Sequence, residues 1–173
     1  MRAFLDAAGR GFTKTLEVLI GILLTVMIVV GLAAVIVRFL LASMLSLYWA
    51  EEVIRYAFIW AVFLVSPLVI RRGANLELDI FVQSLSAGTR RAISLVNAVL
   101  ILVFLVILTV QGVVMVRVNG DQLSSALEIS MAWVYLAVPV GGVLMLGEYL
   151  QVFGRLWRGE GGKASEAALG AIE

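Results

Sequence analysis

Three ionisable residues, Glu51, Glu52 and Arg55, stand at the head of a long apolar stretch, where a charge needs a reason. Arg55 lies four residues after Glu51 and three after Glu52, so on a helix it can meet either carboxylate on one face. Two kinds of chemistry fit that spacing. A carboxylate beside a guanidinium inside a membrane span can relay a proton or cation, and such a residue is by default a functional candidate. Alternatively the three form an ion triad near the boundary, where Arg55, only one to two turns inside, reaches headgroup depth by snorkelling. Both readings stand on the sequence. The same helix places Glu52, Arg55, Ile59, Phe63 and Ser66 in one stripe that passes from polar to aromatic, a face predicted to meet protein.

The rest of the inventory excludes more than it offers. With no cysteine there is no disulfide, thiolate nucleophile or cysteine-held cluster, and with no histidine there is no Ser-His-Asp triad or imidazole-held haem. No cofactor or metal is expected, and no enzyme. A net charge of +1 supplies no field for nucleic acid.

These residues are carried by a chain that is 62% hydrophobic and only 14% charged, with a mean hydropathy of +1.08. An ordinary soluble domain is about 45 to 50% apolar, so lipid must be the solvent for much of this surface. Val18 to Val37 is 20 residues without a charge, about 30 Å of helix, which matches the hydrocarbon thickness. It is too long for the apolar region of a cleaved signal peptide and is expected to be retained. The fold class is therefore an all-α integral membrane protein with four transmembrane helices, over about 16–37, 49–70, 92–116 and 129–153, in one domain covering 1–153. Between the first two, Phe39 to Met44 stays apolar and Tyr48 and Trp49 mark an interface. Leu78, Phe81, Val82 and Leu85 give an amphipathic pattern that predicts an interfacial segment over about 76–86. Asn119-Gly120-Asp121 signals a turn before the last span, and residues 154–173 read as a flexible tail.

Basic residues give the orientation. Arg2, Arg10 and Lys14, then Arg71, Arg72, Arg90 and Arg91, then Arg155, Arg158 and Lys163 fall on one side, against Arg38 and Arg117 on the other. Positive flanks favour the cytoplasm, so both termini are predicted to be cytoplasmic. Arg71, Arg72, Asp79, Phe81, Arg90 and Arg91 would anchor that side. Pro67 and Pro139 interrupt two spans and predict kinks rather than broken transport helices. Ala137 and Gly141 form a small-xxx-small pair that admits a second backbone. Asn97 and Gln111 are read as interhelical hydrogen-bonding groups, and Glu148 as a solvated carboxylate near the headgroups.

The run Glu51-Glu52-Val53-Ile54-Arg55, Trp60, Phe63-Leu64, Arg71-Arg72 and Asn75-Leu76-Glu77-Leu78-Asp79 resembles the small membrane subunit of tripartite ATP-independent periplasmic (TRAP) transporters. That family shows a Glu-Glu pair, an Arg, a Trp, a Phe-Leu-Gly turn, basic residues and a His-x-x-x-Asp ending. This chain carries Val65 in place of the glycine and Asn75 in place of the histidine. Ser125-Ala126-Leu127, Trp133, Tyr135 and Ala137-Val138-Pro139-Val140-Gly141 look like the start of the family's last span. The resemblance implies a bacterial inner-membrane importer in which a large membrane subunit holds the substrate and sodium sites. A periplasmic binding protein would deliver a small organic acid, and this chain would be the fixed scaffold. Glu51, Glu52, Arg55, Trp60, Phe63, Ser66, Trp133, Pro139 and Gly141 would then form its partner-facing or structural residues. The rival is a self-sufficient, homo-oligomeric small transporter using Glu51 or Glu52 as its coupling carboxylate.

Overall fold

A computed structural model describes residues 2–40, 47–72 and 87–158, and every named element in them is an α-helix. Helix α1 runs Arg2–Leu40, α2 Tyr48–Arg72, α3 Ala87–Val118, α4 Ala132–Tyr135 and α5 Ala137–Trp157. Four stretches are long and apolar enough to cross a bilayer: Gly11–Leu40, Tyr48–Arg71, Ala92–Val118 and Ala132–Gly154. With no water in the hydrocarbon, only a helix satisfies each backbone group from within its own segment, so such apolar sequences fold this way. The first span extends at both ends beyond the uncharged run. The turns carrying Phe12 and its predecessors are continuous with it, and Phe39 and Leu40 complete the helix instead of starting the connection. The interfacial segment expected over 76–86, with Asp79 and Phe81, lies outside the described residues; of the tail expected over 154–173, residues 154–157 instead continue helix α5, and those from 159 lie outside the described residues.

The helices pack as an open row. Helix α1 lies on α2, α2 on α5, and α5 on α3, and among the described residues there is no comparable seam from α1 to α3 or from α2 to α3. Leu16, Leu64 and Leu68 fill the α1–α2 seam with Ile20, Leu23 and Trp60 around them. Ala98, Leu105, Met145 and Tyr149 fill the α3–α5 seam. The outer helices stay open, and none of the most apolar stretch of α1 is buried.

Because lipid gives apolar helices little reason to associate, close backbone approach has to supply much of the cohesion. Two adjacent glycines on α5 provide it. A Cβ on Gly141 would fall 2.7 Å from Phe63 Cβ and 2.9 Å from the Phe63 carbonyl oxygen of α2. A Cβ on Gly142 would strike Thr109 of α3, 3.3 Å from its Cα. Consecutive residues project about 100° apart, so the pair opens α5 to a neighbour on each side. Proline completes both contacts. Pro67, fully buried, lacks the N–H that would have bonded the Phe63 carbonyl, and Gly141 sits against that carbonyl. Pro139 likewise leaves the Tyr135 carbonyl without its donor, which separates α4 from α5 at Leu136, and its ring packs on Gly112 of α3.

Candidate functional site

Helix α2 carries the polar contacts that join the row, and they run along it from one end to the other. At the end bearing Tyr48, the Glu52 carboxylate accepts the backbone N–H of Ala126 on Oε1 and that of Leu127 on Oε2, each at 3.1 Å. Two successive N–H groups converging on an anion form a small nest, and here the anion is the protein's own. The nest is held by a folded loop, not a loose one. Ser124 N–H donates to the Ile129 carbonyl at 2.8 Å, Met131 N–H to Gln122 at 2.8 Å, and Leu123 pairs antiparallel with Ser130. Ser130 Oγ donates to the Gly120 carbonyl at 2.6 Å, and Glu128 takes φ 54° to close the turn. The Asn119-Gly120-Asp121 signal thus opens an ordered hairpin-like connection.

One turn further along α2, the Tyr56 hydroxyl donates to Met131 Sδ at 3.6 Å. After another turn, Trp60 Nε1 donates to the Trp133 carbonyl of α4 at 3.1 Å. Phe63 then meets Gly141, Pro67 is buried, and Arg71 closes the sequence. The Arg71 guanidinium donates through Nη1 to the Gly9 carbonyl at 2.8 Å and to Thr13 Oγ1, both on α1, while Nε lies 3.6 Å from Glu148 Oε2 on α5. One side chain therefore ties three helices. Gly9 lets the guanidinium lie close to α1, since a Cβ there would push the end of the Arg71 side chain aside.

The face that binds α4, α5 and their loop is thus Glu52, Tyr56, Trp60, Phe63, Pro67 and Arg71. It is turned by about 70° from the stripe expected through Arg55, Ile59 and Ser66, sharing only Glu52 and Phe63 with it. Ser66 Oγ bonds its own helix, donating to the Val62 carbonyl at 2.7 Å. The ion triad does not assemble among the described residues: Glu52 is taken by the loop, and Glu51 and Arg55 are exposed and unpaired. Glu148 is not solvated either, being buried at 8% exposure against Arg71. Of the remaining expected residues, Trp133 is 67% exposed and serves through its carbonyl, and Gly141 is buried in the α2–α5 seam. Arg72, Arg90 and Arg91 lie on helix ends whose side chains are not described, at the Arg71 end of the row. Tyr56 and Arg71 as contacts were readable in principle, since Glu52, Tyr56, Trp60, Phe63, Pro67 and Arg71 recur every three or four residues.

No group of three or more acidic ligands that could hold a metal occurs among the described residues. The arrangement binds helix to helix. Residues 27–159 match the family model for the DctQ component of tripartite ATP-independent periplasmic transporters. The chain belongs to the DctQ family of TRAP transporter small subunits. Over 119 residues it is 31% identical to the C4-dicarboxylate TRAP transporter small permease protein DctQ of Rhodobacter capsulatus, covering 67% of this chain and 52% of that protein. It thus spans about half the length of this curated relative. The DctQ-family chain is a multi-pass protein of the inner membrane, and the match runs from the middle of α1 through α5, so it includes the Glu52 nest and the Arg71–Glu148 pair, while Gly9 and Thr13 precede it.

Proposed function

We propose that this chain is the fixed, non-catalytic scaffold of a sodium-driven, binding-protein-dependent importer of small organic acids, with C4-dicarboxylates, the class in the relative's name, as the first candidates. Its partners are a large membrane subunit that moves the solute, a periplasmic binding protein that delivers it, and the surrounding lipids. Both termini and the Arg71 clasp face the cytoplasm on this reading, the side that the ten flanking basic residues favour. The observation that carries this reading is the family match over 27–159. The row itself supports it: Glu52, Tyr56, Trp60 and Arg71 of α2 are spent on internal cross-links, and transport pathways use paired broken helices around a central site.

The test is reconstitution. Proteoliposomes holding the chain with its large subunit and binding protein should take up a C4-dicarboxylate when a sodium gradient is imposed. The chain alone should not. Solute entry with the chain alone would establish the self-sufficient transporter instead. Orientation is read separately: the chain has no cysteine, so a single cysteine introduced at exposed Gly11 should react with an impermeant maleimide only after the cells are opened.

A further inference from the structure

Where the first turns of α2 meet the folded loop, the surface sinks into an open groove of about 540 Å³. Its walls carry Glu51, Glu52 and Arg55 on one side and Ser125 and Ala126 on the other, with Tyr48 and Trp49 at the rim. Tyr and Trp are the side chains that settle at the boundary between hydrocarbon and water, which sets the depth of the groove. Glu52 is already satisfied by two backbone N–H groups. That leaves one exposed anion, Glu51, and one exposed cation, Arg55, a helical turn apart in one cavity and not paired with each other. Below them the same side of α2 is apolar and open, with Phe58 56% and Val62 41% exposed.

We infer that this groove binds the headgroup of a zwitterionic phospholipid bearing a primary ammonium, of the phosphatidylethanolamine type. Arg55 takes the phosphate, the chemistry for which a planar guanidinium is suited, and Glu51 accepts hydrogen bonds from the ammonium. The acyl chains run down past Phe58 and Val62. Opposite charges held apart on the protein match opposite charges held apart on the ligand, whereas the phosphatidylglycerol headgroup would meet Arg55 favourably but bring Glu51 only neutral hydroxyls and a net negative charge that it repels. The site needs nothing from the transport cycle, so it stands or falls independently of the proposed function.

The full chain in mild detergent is incubated with equimolar dioleoyl phosphatidylethanolamine and dioleoyl phosphatidylglycerol, and the bound lipid is counted by native mass spectrometry. One favourable charge contact at a membrane surface corresponds to about 5-fold in binding, so the wild type should retain the ethanolamine lipid about 5-fold over the glycerol lipid. Glu51→Gln should abolish that preference by removing both the acceptor charge and the repulsion. Arg55→Gln should lower retention of both lipids. Both side chains are exposed and unpaired, so helicity by circular dichroism should be unchanged in the variants. Equal retention by the wild type, or a preference that survives Glu51→Gln, overturns the assignment. A photoreactive side chain at Phe58, in membranes that also contain the large subunit, separates the remaining occupant. Adducts of lipid mass support the site, and a cross-link to the large subunit overturns it.

Discussion

Replacing Gly141 by alanine adds one methyl group at the tightest seam of the row. Its Cβ would sit 2.7 Å from Phe63 Cβ and Cδ1 and 2.9 Å from the Phe63 carbonyl oxygen, where ordinary contact begins at 3.4 Å. Two of those atoms are bound to the backbone of α2 or belong to it, so no rotamer change clears the space and α2 must part from α5 by about half an ångström. A radial gap of that size forfeits about a quarter to a half of each dispersion contact across the seam. Overpacking of this kind costs about 1–3 kcal/mol, partly offset by up to about 1 kcal/mol from replacing glycine within a helix. Gly147, on the same helix with open space around its Cα, is the internal control. Gly147→Ala should gain about 0.5–1 kcal/mol. Reversible unfolding of both variants in mixed detergent micelles gives the comparison. If Gly141→Ala is as stable as the wild type, or if the two substitutions shift stability alike, close approach at Gly141 does not hold α2 to α5.

Three further outcomes follow from the α2 contacts. Glu52→Ala should release the loop while leaving the helices packed, seen as faster hydrogen exchange at the Ala126 and Leu127 amides than in the wild type, with exchange in the middle of α5 unchanged. Glu148→Gln should destabilise the Arg71 end by about 1–2 kcal/mol in the same unfolding assay, since the carboxylate is buried but the pair is partly open at the guanidinium and 3.6 Å long. Trp60→Phe should cost about 1 kcal/mol by leaving the Trp133 carbonyl without its indole donor, measured by unfolding against a Trp49→Phe control on the exposed rim.

The four spans were legible because hydrocarbon imposes a length and a composition that a run such as Ala92 to Val116 displays on its face. The order in which the helices pack was not. Leu64 and Phe63 are neighbours in sequence, yet Leu64 packs with Leu16 of α1 while Phe63 packs on Gly141 of α5. An apolar residue in a span does not declare which neighbour it meets. The charged head of α2 was legible as a feature and misread as a geometry. Spacing says that Arg55 can reach Glu52, but it is blind to two N–H groups that a loop brings from 74 and 75 residues away. A fixed nest donating to both carboxylate oxygens outcompetes a flexible surface pair, which is worth only a few tenths of a kcal/mol. Glu148 failed for the same reason in reverse. Its place near a helix end allowed solvation, and only the packing of α2 on α5 brings Arg71 to it. Gly141 was picked out through its spacing from Ala137, whereas Gly142, which admits α3, has no partner at that spacing and is explained only by its place between two seams.

Seams and surface divide the labour in this row. Polar groups that would be expensive to leave in hydrocarbon are consumed inside it, Glu52 on a loop and Arg71 on α1 and α5, so they lock the relative positions of helices that apolar contact alone would let slide. What remains outward is almost wholly apolar, as with Ile28, Val29 and Leu32 on α1 and Val96, Leu100 and Phe104 on α3, each about 60% exposed. Against lipid or another apolar helix such a surface gives little preference for any one partner arrangement. On the proposed scaffold reading, a larger subunit would find its register at the few polar or kinked places left on the outside, such as the rim near exposed Trp133. Rigid inside and nearly featureless outside is the form that the proposed bracing role calls for: cross-linked seams hold the row's own geometry, while its apolar faces favour no one arrangement of a neighbour.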